Sequence, residues 1–170
     1  MHGNARSGLI RGSLVMQWFA AAIAAAPAMA QFQPFKPAVQ FEARLDALGG
    51  PPAGAQLGAG ANVAAGYYFR LGIDAAAGAS SRNGGAVPSG RVDAAARYLL
   101  DPFNEFAWGP YAGAGFSALW DRSANWRGAL LLLVGIEGPA HAGWRTAFEL
   151  GLGGGARLGV VLRRARPHAR

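Results

Sequence analysis

The stretch AVQFEARLDAL, residues 38–48, alternates apolar and polar side chains without a break. Glu42, Arg44 and Asp46 fall on one side of this pattern, and apolar residues fill the other side. A helix would scatter the apolar residues around its axis, so strict alternation predicts a β-strand. The sequence GGPP at positions 49–52 ends that strand.

The same two-residue period returns along the rest of the chain. The predicted strands cover residues 38–48, 56–67, 69–78, 91–100, 108–120, 127–137, 144–152 and 157–163. Between them the sequence predicts turns or loops near Gly66 and at 80–89, 101–104, 121–125, 138–141 and 153–155. Eight strands with short connections predict an all-β fold, a closed, antiparallel, up-and-down eight-stranded barrel.

Composition narrows the class of protein. The chain has 170 residues, of which 52% are hydrophobic, 15% are charged, 26 are Gly and none is Cys. This length suits one domain. The lack of Cys excludes a disulfide scaffold and any Cys-ligated zinc or iron–sulfur centre. The hydrophobic content, with a charged share below the usual value of about 25%, excludes a solvated disordered chain.

The first thirty residues have the organisation of a secretory signal peptide. Arg6 and Arg11 precede a mostly apolar run at 14–26, and the sequence AMA at 28–30 predicts cleavage before Gln31. The apolar run is shorter than the about 20 residues of a spanning helix, so an uncleaved membrane anchor is the less favoured alternative. The predicted division of the chain is a signal peptide at 1–30, a short lead at 31–37, a barrel at 38–164 and a basic tail at 165–170.

The two faces of the predicted strands differ in a way that indicates whether the outside of the barrel meets water or lipid. One face carries almost no charge, and the other mixes Gly, Ala and Ser with charged residues. A soluble carrier barrel would place its apolar face inside, whereas small residues among charges suit the lumen of a narrow barrel. Because a charge facing lipid costs about 2–4 kcal/mol at the midplane, the uncharged face favours a transmembrane barrel. Aromatic girdles are predicted at one rim by Tyr67, Tyr98, Trp108 and Trp144, and at the other by Trp120 and Trp126.

Together these features resemble the small outer-membrane β-barrel proteins of the OmpA/OmpX-type superfamily. The segments GYYFRLGID at 66–74 and GGGARLG at 153–159 are similar to strand–turn sequences of that superfamily. The resemblance implies a monomer in the bacterial cell outer membrane, inserted into the lipid bilayer by the outer-membrane assembly machinery, with both termini in the periplasm. The connections near Gly50, Asn83, Ser123 and Gly154 would then face outward. Such barrels usually end on an aromatic residue, whereas this chain has none after Phe148.

Charged residues on the inward face form the candidate functional set. They are Glu42, Arg44, Asp46, Arg70, Asp74, Arg91, Asp93, Arg97, Arg127, Glu137, Arg145, Glu149, Arg157 and Arg163. Pairing of these charges across the lumen predicts a plugged barrel with a structural or interaction role in the cell envelope. The alternative is a porin-like lumen, a narrow channel or transporter for small solutes. The narrow bore of eight strands favours the plug.

No sequence pattern indicates an enzyme, a cofactor or a metal. Glu42 and Asp46 have Arg44 between them, so ion pairing is expected there rather than acid–base catalysis. His141 and His168 lack a Ser or carboxylate at a catalytic spacing, which argues against a lipid-modifying hydrolase. Nucleic acid is not an expected partner because the Arg residues alternate into strand interiors. The basic cluster Arg163, Arg164, Arg166 and Arg170 is expected to be a solvated end that meets anionic lipid headgroups or restrains strand translocation.

Overall fold

The computed structural model describes residues 38–50, 53–82, 84–121 and 124–165, and these form eight β-strands. The strands are β1 (Val39–Gly49), β2 (Gly54–Ala64), β3 (Phe69–Arg82), β4 (Gly85–Leu99), β5 (Gly109–Asp121), β6 (Ala124–His141), β7 (Trp144–Leu152) and β8 (Ala156–Arg164). The predicted signal peptide with its cleavage site, the lead at 31–37 and most of the basic tail lie outside the described residues.

The strands form one closed barrel in which each strand pairs antiparallel with the next and β1 pairs with β8. At the closing seam Glu42 lies opposite Arg163, and on its other side it lies opposite Gly60. Closure leaves no strand edge unpaired, so a sheet of this kind can satisfy its own backbone groups. The prediction of an all-β, up-and-down, eight-stranded barrel is confirmed. No helix within the described ranges is long and apolar enough to cross a bilayer.

The two ends of the barrel are distinguished by their connections. The connections after β1, β3, β5 and β7 lie at one end, here called the distal end. The opposite, proximal end holds the beginning of β1, the end of β8 and the other three connections. Aromatic rings pack against one another at the proximal end, where Tyr68 stacks on Tyr98 with centroids 5.7 Å apart and Phe103 packs edge-on against Tyr68. Trp120 and Trp126 lie near the distal end of β5 and β6.

Three predicted connections are wrong in extent. The predicted loop at 80–89 is the tip of a long hairpin, because β3 continues to Arg82 and β4 begins at Gly85. Its small polar residues continue the inward alternation, and the turn needs only Gly84 at φ 80°. The predicted turn at 138–141 is part of β6, since an irregularity between Glu137 and Ala140 absorbs one residue and the chain reverses at 142–143.

The predicted loop at 121–125 is also shorter in the structure. β5 includes Asp121, and β6 begins at Ala124. The polar residues that signalled a loop extend the β5–β6 hairpin instead, because antiparallel neighbours continue to pair as far as the Asp121↔Ala124 register allows.

The faces of the sheet divide as alternation predicts. Large apolar side chains cover the outside, including Phe41, Leu130 and Ile136, all of them exposed. Leu131 and Leu133, which interrupt the polar side of β6, are buried in the lumen. There they form a small apolar cluster with Ala95, Tyr111, Ala147 and Val161. The interior is therefore charged along most of its length, with one apolar patch beside β6.

Glycines inside the barrel make room for long side chains from neighbouring strands. Gly135 lies opposite Tyr111 in the β5–β6 register. A Cβ atom at Gly135 would lie 2.5 Å from Tyr111 Cζ and 2.7 Å from the carbonyl oxygen of Phe148. Gly72 in the same way gives space to the guanidinium of Arg97, whose Nη1 would lie 2.7 Å from an added Cβ. The small residues of the inward face thus set the packing of the charged ones.

Replacing Gly135 with Ala should destabilise the barrel by about 1–3 kcal/mol, because the added methyl overpacks the lumen against Tyr111 and the backbone. Gly128→Ala on the same strand is the matched control. Its Cβ would meet nothing within 4 Å, so it should be neutral or stabilising by up to about 1 kcal/mol. Urea unfolding in detergent micelles measures both, and equal effects of the two substitutions would contradict the packing argument.

Candidate functional site

The lumen is filled by buried ions of both signs. Among the described residues, six Arg side chains and seven carboxylates are buried. They are Arg44, Arg70, Arg91, Arg97, Arg157 and Arg163, with Glu42, Asp46, Asp74, Asp93, Asp121, Glu137 and Glu149. Near-balance of charge allows each ion to be offset by neighbours, which burial of charge requires.

Glu149 on β7 is the centre of the network. Its Oε1 accepts hydrogen bonds from Arg163 Nη2 at 2.6 Å and from the Tyr111 hydroxyl at 2.8 Å. Its Oε2 accepts one from Arg44 Nη2 at 3.0 Å, and Arg97 Nε lies 3.3 Å from Oε1. One carboxylate therefore joins β1, β4, β5 and β8 across the lumen.

Arg44 on β1 links this centre to two further carboxylates. Its Nε donates to Asp46 Oδ2 at 2.9 Å, and its Nη1 lies 3.0 Å from Asp74 Oδ2. Gly159 on β8 lies beside this pair, and a Cβ there would clash with Asp46 Oδ1. The N–H groups of this guanidinium thus point at three carboxylates, those of Asp46, Asp74 and Glu149. The planar, five-donor group of Arg permits this arrangement, and a Lys ammonium would not reproduce it.

The distal layer of the network is built around Asp93 on β4. Arg91 Nε donates to Asp93 at 3.0 Å, and Arg157 and the Ser117 hydroxyl also hydrogen-bond to it. Arg91 also reaches Asp46, which joins this layer to the centre. The layer is thus continuous with the cluster at Glu149.

The proximal layer is built around Glu137 and Glu42. Arg70 Nη1 donates to Glu137 at 2.6 Å, and Arg163 Nη1 donates to it at 2.9 Å. Arg163 Nε also donates to Glu42 at 2.9 Å, and Asn62 donates to Glu42 at 3.1 Å. Arg163 therefore binds carboxylates on β1, β6 and β7, and its guanidinium lies 5.1 Å from the centre of the Tyr111 ring.

The structure brings together thirteen of the fourteen charged residues singled out from the sequence, and it separates one, Arg127. Arg127, predicted to lie in the lumen network, is at the distal rim, where its side chain is 58% exposed and 3.6 Å from Asp121. The reason is that β7 pairs with β6 only as far as Leu132, so no strand covers Arg127 from that side. Arg145 lies at the proximal rim, partly exposed, between Glu137 at 3.4 Å and Asn104 at 2.6 Å.

Several uncharged members of the site were not singled out from the sequence. Tyr111, Ser117, Asn62 and Gln56 all hydrogen-bond to charged lumen residues. Each lies on the inward face that the alternation predicts, so its position in the strand, rather than its charge, could have identified it as part of the site. Asp121, which the sequence places in a loop, is also a buried carboxylate of β5.

In the described part of the chain, no group of three His, Cys, Asp or Glu side chains is placed to hold a metal ion. His141 lies exposed at the end of β6, opposite Trp144. The carboxylates instead lie close to guanidinium groups, an arrangement that stabilises buried charge of both signs.

No family model matches the chain, and no curated protein sequence matches it. Several solved structures, however, match its fold. The N-terminal β-barrel domain of Pseudomonas aeruginosa OprF matches with a TM-score of 0.56 at 13% identity, covering 75% of this chain and 99% of that domain. The chain has the fold of the small outer-membrane β-barrels. Neisserial surface protein A matches with a TM-score of 0.55 at 13% identity, covering 78% of this chain and all of that one.

Proposed function

We propose that this protein is a monomeric barrel of the bacterial outer membrane that has a structural or interaction role and a lumen closed to solutes. The observation that carries the proposal is the combination of an outer surface almost free of charge with an interior filled by paired ions. The hydrocarbon of a bilayer favours such an outer surface, and the confined lumen of a narrow barrel favours such an interior. Residues 1–30 act as a cleaved signal peptide in this proposal, and the assembly machinery inserts residues 38–164.

Continuity of the ion pairs along the barrel supports a closed lumen. Asp93, Asp46, Glu149 and Glu137 are connected in order from the distal to the proximal layer through shared Arg residues. A permeating solute would have to separate several of these pairs, and separating a buried pair costs about 3–5 kcal/mol. The network thus forms a barrier across several successive levels of the lumen rather than at one constriction.

Recordings from planar bilayers test the closed lumen directly. The refolded mature protein should give no resolved single-channel steps under conditions in which a known porin does. In cells the protein should fractionate with the outer membrane and migrate differently on gels before and after heating. Ion-selective steps from the parent protein would replace this proposal with that of a narrow channel, and recovery in the soluble periplasmic fraction would refute membrane insertion.

The orientation of the barrel gives a separate expected result. With both barrel termini in the periplasm, the distal connections face the outside of the cell. The natural chain has no Cys, so single-cysteine variants are unambiguous. Ala53→Cys at the distal end should react with an impermeant thiol reagent on whole cells, whereas His141→Cys at the proximal end should react only after the cells are broken. The opposite pattern would reverse the orientation.

A further inference from the structure

A row of three polar side chains lies on the outer face of the barrel at its proximal end. His141 on β6 lies directly opposite Trp144 on β7, and Trp144 lies directly opposite Arg164 on β8. Directly opposite residues of antiparallel strands point to the same side of the sheet, with Cβ atoms about 4.5–5.5 Å apart. All three residues are exposed. The row therefore presents an imidazole, an indole N–H and a guanidinium side by side.

Arg164 is the exception on an outer face that is otherwise apolar. The alternation of β8 places Arg163 in the lumen and Arg164 outside. Among the described side chains, Arg164 is the only charged one that the alternation places on the outer face. Leu162, two residues further into the barrel, is apolar and 46% exposed. The row thus lies at the edge of the apolar wall, where a charge reaches the headgroup level and escapes the cost of hydrocarbon.

The guanidinium of Arg164 forms no ion pair with another described residue. Glu137, the carboxylate at the proximal end of the lumen, pairs with Arg70 and Arg163. Asp101, in the connection between β4 and β5, accepts two backbone N–H groups of that connection. The counter-ion of Arg164 is therefore expected to come from the surroundings of the barrel.

Hydrogen bonds hold the backbone on which the row is built. The two-residue turn between β6 and β7 has Ala142 at φ 50° and Gly143 at φ 82°, the left-handed values of a tight hairpin turn. The Ala165 N–H donates to the carbonyl oxygen of Gly143 at 2.8 Å, and Gln40 Nε2 donates to that of Arg164 at 3.1 Å. A backbone fixed in this way has little conformational freedom to lose when the row binds a ligand.

The row is confined to one side of the barrel. At the same end, the outer residues Phe69, Tyr98 and Ala112 lie opposite one another on β3, β4 and β5. They provide aromatic and apolar surface and carry no positive charge. An anionic group at the proximal rim should therefore bind on the side of β6 to β8.

We propose that this row binds the phosphate of a phospholipid headgroup in the leaflet at the proximal end. Arg164 supplies positive charge and N–H donors for two phosphate oxygens, and the indole of Trp144 supplies a further N–H donor. The acyl chains of the same lipid would lie along the adjoining apolar wall, against the exposed side chains of Phe148 and Leu162. This inference rests on the proposed membrane insertion and adds one lipid contact at a defined place.

Solution NMR of the refolded protein in dodecyl maltoside, a detergent without phosphate, tests the proposal. Phosphatidylglycerol is added to the micelles, with the Trp144 indole N–H and the Arg164 Nε–H resonances as reporters. Both resonances should shift saturably with the mole fraction of this lipid. Diacylglycerol, which has the acyl chains without the phosphate, and sodium phosphate at the same concentration should leave them in place. Equal shifts with either of these, or shifts that do not saturate, would overturn the proposal.

Substitutions locate the site. Arg164→Gln should lower the affinity for phosphatidylglycerol about five- to tenfold, read from the Trp144 indole. Trp144→Phe keeps a ring and removes the N–H, so the affinity read from Arg164 should fall about two- to fivefold. Arg127→Gln, which changes an exposed arginine at the distal rim, is the matched control and should leave binding unchanged. Unchanged affinity in Arg164→Gln, in a protein that still shows the heat-dependent gel shift of a folded barrel, contradicts the assignment.

Membrane insertion and headgroup binding have separate readouts. Refolding into vesicles of phosphatidylcholine, followed by the heat-dependent gel shift, reports insertion alone. A protein that inserts there but whose Trp144 and Arg164 resonances ignore phosphatidylglycerol contradicts the headgroup site and leaves the membrane barrel standing. A protein that inserts into neither vesicles nor micelles contradicts the membrane barrel, and the headgroup site with it.

Discussion

Replacing Glu149 with Ala should reduce the free energy of unfolding by about 3–5 kcal/mol. The residue is 1% exposed, and loss of its side chain leaves Arg44, Arg97 and Arg163 without the carboxylate that joins them. Unpaired guanidinium groups in a confined lumen retain the desolvation cost and lose the compensating contact. Equilibrium unfolding in urea, in lipid vesicles, measures the change.

The control for this substitution is a Glu outside the lumen. Glu105 lies in the exposed connection between β4 and β5. Its replacement by Ala should change the free energy of unfolding by no more than about 0.5 kcal/mol. A loss of about 1 kcal/mol or less for Glu149→Ala would mean that water reaches and screens the remaining charges. That result would contradict the closed lumen and favour a water-filled channel.

Replacing Leu132 with Arg should destabilise the protein in bilayers by about 2–4 kcal/mol. Leu132 lies midway along the outer face of β6, and it is 58% exposed. The large effect is expected only if that face meets hydrocarbon, because an Arg exposed to water on a strand surface changes stability little. The same unfolding measurement in lipid vesicles tests it.

Val39→Arg is matched to Leu132→Arg in exposure, at 54%, but lies at the first residue of β1 at the proximal rim. There the new guanidinium reaches the headgroups, so the cost should be about 0–1 kcal/mol. The difference between the two variants reports depth in the membrane. Equal, small effects at both positions would show that the outer face is solvated by water.

The strands could be predicted from the sequence because alternation is a local property. In β1 every second residue from Gln40 to Asp46 is buried, as the pattern at 38–48 indicates. The predicted strand ends are wrong where residues that face the lumen are of types common in loops. Ser80 and Ser89 belong to the inward set, yet small polar residues with Gly between them are also typical of a turn.

The partners within the lumen could not be predicted because they depend on strand stagger. Alternation shows that Arg44 and Glu149 both face inward, but not that they meet, since 105 residues separate them. Arg127 illustrates the same limit. The alternation assigns it to the inward face, but the pairing of β6 with β7 stops at Leu132, so no neighbouring strand covers it. Only the register around the closed barrel decides which inward residues share a level.

The long span of the central contacts has a kinetic consequence. Glu149 and Arg163, from the last two strands, bind Arg44 and Glu42 from the first. A nascent sheet that contains β1 to β6 therefore exposes the Arg44 side of these pairs with no counter-ion from the C-terminal hairpin. Contacts so distant along the chain form late because loop closure must precede them. Arrival of β7 and β8 thus adds Glu149 to the carboxylates around Arg44 as it closes the seam, so we expect formation of these last ion pairs and closure of the barrel to be cooperative.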